Sequence, residues 1–151
     1  YRDYDQPIEK VTDFSGYTTD MSKISTFLSS LRPDGGGDAP EATKTALNKA
    51  FDMNLVDSNT IVLIYADAPP HHPTTAGSSW TTEVKNVKEK DWIRLCKLYQ
   101  QTGCTVFSII NTAQFCTSSF YILLSKYTQG KTLFLTSANV KLFQNVQLIY
   151  F

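Results

Sequence analysis

The stretch Thr60-Ile61-Val62-Leu63-Ile64-Tyr65-Ala66 carries no charge, is apolar at odd and even positions alike, and stops abruptly at Asp67. A strand with two apolar faces belongs in the middle of a parallel sheet, covered above and below. Downstream of Asp67, helix and strand alternate. A helix is predicted from about Val87 to Gln101, presenting Trp92, Leu95, Cys96 and Tyr99 and stopped by Gly103. Then come a buried strand at Cys104–Ile110, a helix opening at Ser118 or Ser119 with Phe120, Leu123, Leu124 and Tyr127, and a short strand at Thr132–Thr136. Alternation at this spacing predicts an α/β fold with a mostly parallel sheet and right-handed crossovers. In such sheets ligands bind at the carboxyl ends of the strands.

Upstream, Ile8, Val11 and Phe14 among polar residues suggest a short exposed strand over Ile8–Phe14. Met21, Ile24, Phe27, Leu28 and Leu31 fall at helical spacing behind a cap at Thr19 or Asp20. Pro33 and three glycines end that helix. A second one is expected near Pro40, with Ala42, Ala46, Leu47, Ala50 and Phe51 as its stripe. Residues 1–136 therefore read as one domain. Residues 137–151 read as a C-terminal extension of mixed period.

Two junctions draw attention to function: Gly35-Gly36-Gly37-Asp38-Ala39-Pro40-Glu41, and Asp67 at the end of the apolar strand. The topology brings Asp38, Glu41 and Asp67 to one rim. Oxygen donors of this kind suit Mg²⁺ or Mn²⁺. The plainer roles are a helix N-cap for Asp38, a first-turn charge for Glu41 and a turn for Asp67. His71 and His72 invite a hydrolase reading with Asp67, but neighbouring histidines in a proline-flanked polar loop read first as solvated. A nucleophile elbow is absent, and the glycine loop lacks the lysine and hydroxyl of a phosphate loop.

Fourteen basic and fourteen acidic residues balance to zero, which argues against a generic nucleic-acid or anionic-membrane surface. Apolar runs such as Ile61–Ala66 and Phe120–Leu124 are far too short to span a bilayer. Cys96, Cys104 and Cys116 show neither paired nor zinc-ligand spacing, and read as buried thiols of a reducing compartment, the cytoplasm being slightly favoured.

Taken together, several features resemble a von Willebrand factor type A domain. They are Tyr1-Arg2-Asp3 as a strand end, the edge segment Ile8–Phe14, the glycine loop through Asp38 and Glu41, and Ile64-Tyr65-Ala66-Asp67-Ala68. Asp91-Trp92-Ile93 and Thr128-Gln129-Gly130 also fit. The glycine loop is similar to those of integrin β-subunits and of the A domains attached to alpha-kinases. The resemblance implies a Rossmann-like, doubly wound sheet with an antiparallel edge strand, N-terminally incomplete here. It also implies a metal-ion-dependent adhesion site using Asp67, Glu41 and Asp38. The family's Asp-x-Ser-x-Ser motif is missing, so Mg²⁺ or Mn²⁺ would need donors from upstream sequence. The function this implies is a non-catalytic adhesion or protein-interaction module whose partner engages through an acidic residue. The alternatives are an accessory domain of an enzyme such as an atypical alpha-kinase, or a degenerate fragment. Without a first strand, the apolar strand would expose an edge and the chain would self-associate.

Overall fold

Three parallel strands form the centre of the chain: β1 (Ile61–Ala66), β2 (Thr105–Asn111) and β3 (Thr132–Leu135), in the order β1-β2-β3. The coordinates are a computed structural model, and they describe residues 1–32, 39–72, 78–111 and 119–136. Ile64 lies opposite Ser108, and Ile109 opposite Leu133. Among the described residues five α-helices accompany the sheet: α1 (Met21–Ser30), α2 (Thr43–Asp52), α3 (Ser78–Asn86), α4 (Trp92–Thr102) and α5 (Ser119–Tyr127). The chain is a mixed α/β fold, as the alternation of apolar runs and amphipathic stretches predicts.

One face of the sheet carries the core. Ile64, Ala66, Val106 and Ile110 pack against Leu95, Cys96 and Tyr99 of α4 and Phe120, Tyr121 and Leu124 of α5, with Leu47 of α2 joining them. Each large apolar side chain buried here contributes about 1.5–3 kcal/mol by leaving water. Tyr99 buries its ring and satisfies its hydroxyl by donating to the Leu47 carbonyl at 2.8 Å. Asp91 caps α4 through the Arg94 N–H, and Gly103 ends the helix at φ 77°.

Several expectations need correcting. Strand β1 lies at an edge, as expected for a chain without a first strand, but it is not covered on both faces as its apolar run suggests. Ile61, Leu63 and Tyr65 are 66%, 55% and 64% exposed, and β2 is its only strand partner among the described residues. The second face therefore lacks the covering layer of a doubly wound sheet at these positions. No antiparallel edge strand forms at Ile8–Phe14: Ile8–Lys10 winds into a 3-10 turn behind Pro7. A single strand-like bond remains, from Arg2 N–H to the Val11 carbonyl at 2.8 Å. Residues Val87–Asp91 separate two helices, and α3 begins where the end of a polar loop was expected. The extension at 137–151 lies outside the described residues.

Candidate functional site

Asp67 leaves the carboxyl end of β1, and the backbone just beyond it does the positioning. Glu41 N–H donates to the Pro69 carbonyl at 2.9 Å, and His71 N–H donates to the Glu41 carbonyl at 3.3 Å. This short parallel bridge between Glu41 and Pro70 replaces the helical first turn expected there. The helix α2 begins two residues later, behind Ala42, which offers no side-chain cap. The Tyr121 hydroxyl donates to the Ala68 carbonyl at 3.0 Å and shares a hydrogen bond with Thr43 Oγ1 at 2.9 Å, so α5 and α2 hold the loop from below.

Glu41 and Asp67 consequently face one cleft of about 420 Å³, with Tyr65 beside them and Phe27 and Leu31, from α1 and its C-terminal end, also lining it. Burial, then the negative charges of Asp3 and Asp67, push the Glu41 carboxyl up to about 7. Neither Glu41 nor Asp67 makes an ion pair with any described residue. Asp38, the third carboxylate expected at this rim, lies outside the described residues.

The fit of a hard cation can be judged from these donors. Mg²⁺ takes one or two carboxylates provided that other oxygens complete a near-octahedral shell. Here there are two carboxylates, and among the described residues no group of three His, Cys, Asp or Glu side chains is placed to hold a metal. The described residues by themselves do not complete a Mg²⁺ or Mn²⁺ shell.

His71 is not the solvated loop residue expected from its polar neighbours. It is fully buried, with Nδ1 3.0 Å from Glu83 Oε2 and Nε2 3.1 Å from Asp3 Oδ1. Burial draws its pKa down, but the two carboxylates outweigh it and hold the imidazole at about 9. As an imidazolium at neutral pH it donates Nδ1–H to Glu83 and faces the Asp3 carboxylate through Nε2 as an ion pair. Lys44 Nζ stands 3.5 Å from Glu83 Oε2, while Thr45 donates its N–H and hydroxyl to Glu83 Oε1 at 3.0 and 2.9 Å. Two buried cations and two buried carboxylates thus fasten the N-terminal segment, the loop after β1, α2 and α3 together. Removing one member of such a set typically costs about 3–5 kcal/mol, because a charge is left alone in the interior. With both ring nitrogens committed, His71 cannot serve Asp67 as a hydrolytic base. His72 is half-buried and packs against Trp92 with the rings tilted by 59°, centroids 4.7 Å apart.

The thiols fare as expected where they are described. Cys96 and Cys104 are free and buried, and burial pushes the Cys96 thiol up to about 12. Cys116 lies outside the described residues.

No family model matches the chain, and no solved structure matches it. A protein of Acanthamoeba polyphaga mimivirus named as an ariadne-like RING finger protein is 43% identical over 146 residues. The aligned stretch takes in 94% of this chain and 14% of that protein, so the chain spans a small part of the relative it matches. This similarity overturns the expectation of a von Willebrand A-type adhesion module. Neither an integrin-like loop function nor a metal-ion-dependent adhesion site finds support among known proteins, and the similarity points instead toward a protein named for a RING finger.

Proposed function

We propose that this chain is a partner-binding module of a longer ariadne-like RING finger protein, working beside a zinc-bearing RING in an E3-ligase type of activity. The observation that carries this reading is how the zinc-capable side chains are used. Structural zinc sites of RING type are built from four cysteines or three cysteines and a histidine, as thiolates and neutral imidazole. Here Cys96 and Cys104 are core thiols and His71 is a charged member of a buried salt-bridge set. In this reading zinc is held by another part of the longer protein, since no zinc-ready set occurs among the described residues, and what this chain offers is surface: a cleft and a sheet edge open among the described residues.

The test compares the longer protein with a version lacking residues 1–136 in a ubiquitin-transfer assay. The expected result is unchanged zinc content and unchanged self-modification, with modification of a bound target lost. Target modification that survives the deletion overturns the reading. So does stoichiometric zinc in the isolated chain.

A further inference from the structure

Three observations meet at the carboxyl end of β1. The first is the edge itself. From Ile61 to Ala66 the outer backbone of β1 has no strand partner among the described residues, and it carries none of the charges, prolines or bulges that usually blunt an edge. Ile61, Leu63 and Tyr65 alternate outward along it, a spacing that receives every second side chain of an added strand.

The second is α1. None of its residues is buried, although Met21, Ile24, Phe27 and Leu28, with Leu31 at its end, form an apolar stripe. An isolated helix of ten residues is marginal in water, so this one gains from a neighbour. Phe27 and Leu31 already line the same cleft as Tyr65.

The third is charge. The two arginines lining the cleft are engaged: Arg2 Nη1 binds Asp13 Oδ2 at 2.7 Å and the Lys10 carbonyl at 2.8 Å. Arg32 Nη1 donates to the Ser29 and Leu31 carbonyls at the end of α1, at 2.9 and 3.2 Å. Arg32 keeps an unbalanced positive charge but its Nη1 is held at the end of α1, and Glu41 and Asp67 are the cleft carboxylates that no described ion pair balances.

We propose that this edge and cleft receive an extended segment of a partner protein as an added strand beside β1, with a lysine or arginine of that segment seated between Glu41 and Asp67. The backbone ladder supplies affinity, the apolar shelf of Ile61, Leu63 and Tyr65 sets the register, and the two carboxylates select the charge. Tyr65 lines the same cleft and places an aromatic ring near the carboxylates. An acidic side chain at the same point would meet the like charge of Asp67 and, as pH rises above 7, that of Glu41 as well. The proposal rests on the partner-binding reading and names the chemistry of the partner.

The experiment titrates the full chain with fluorescent short peptides of alternating valine and threonine, bearing lysine, glutamine or glutamate at either end. The lysine peptide should bind about tenfold more tightly than the glutamate peptide, as expected for opposite against like charge at a partly desolvated site. The double variant Glu41→Gln, Asp67→Asn should erase that preference while still binding the peptides. Leu63→Lys should abolish binding of all three. Tyr65→Ser serves as a second variant, both being checked for an unchanged circular dichroism spectrum. Bound peptide should slow amide exchange across residues 61–66. Equal binding of lysine and glutamate peptides overturns the proposal. A preference that survives the double variant, or a self-associated chain that saturating peptide does not dissociate, overturns it too. If target modification by the longer protein needs residues 1–136 but ignores Leu63→Lys, this inference fails and the module reading stands. If it does not need them, the module reading fails by itself.

Discussion

Glu41 and His71 sit on opposite sides of one bridge and pull the pH dependence the same way. Glu41 titrates near 7 in the fold against 4.5 when free, so folding favours its neutral form. The stability it permits below pH 4.5 is lost as pH rises toward 7. His71 titrates near 9 against 6.5, so the stability it adds is complete below 6.5 and lost as pH climbs toward 9. The melting temperature is therefore expected to decline from about pH 5 to pH 9. In Glu41→Gln the first part of that decline should flatten and the second part remain, which melts followed by circular dichroism across this range will show. Parallel curves for the two proteins would mean Glu41 is not titrating here. The meeting of Glu41 and Asp67 was legible in the sequence, because each stands at a loop whose position the strand–helix alternation dictates. The role of His71 was not, since Asp3 and Glu83 come to it from distant segments and local polarity points the other way.

At the level of helices and strands, the downstream half was the readable part. Strands β2 and β3 and helix α5 follow from apolar period and a serine start, and the structure places both strands and the start of α5 within a residue. The helix α3 escaped notice because Thr81 and Thr82 are β-branched and its stretch lacks an apolar stripe. Gly130 also serves closer packing than a helix stop requires. A Cβ there would run into the Val106 carbonyl, beside the point where Val106 N–H donates to Thr128 Oγ1 at 3.1 Å. Gly130→Ala should cost about 1–3 kcal/mol in urea unfolding, by pushing β2 away from the end of α5. A loss near zero would mean that the turn after α5 moves freely.

The net charge of zero leaves no long-range repulsion between copies, and β1 keeps an uncharged edge with no partner among the described residues. Sedimentation of the isolated chain should accordingly show mass rising with concentration, and Leu63→Lys should restore a monomer; a wild-type monomer at every concentration would show the edge to be covered. That the strand lies at an edge could not be read from its own residues, whose apolar character suits a buried centre equally well. The connectivity of the sheet has one more consequence, for the order in which the chain assembles. Successive strands are also neighbours in space, so the sheet from β1 through β2 to β3 closes between segments near one another in sequence, at little entropic cost. Asp3 must instead find His71 from the far end of the chain, which makes the N-terminal strap the last piece to lock and the first to peel away.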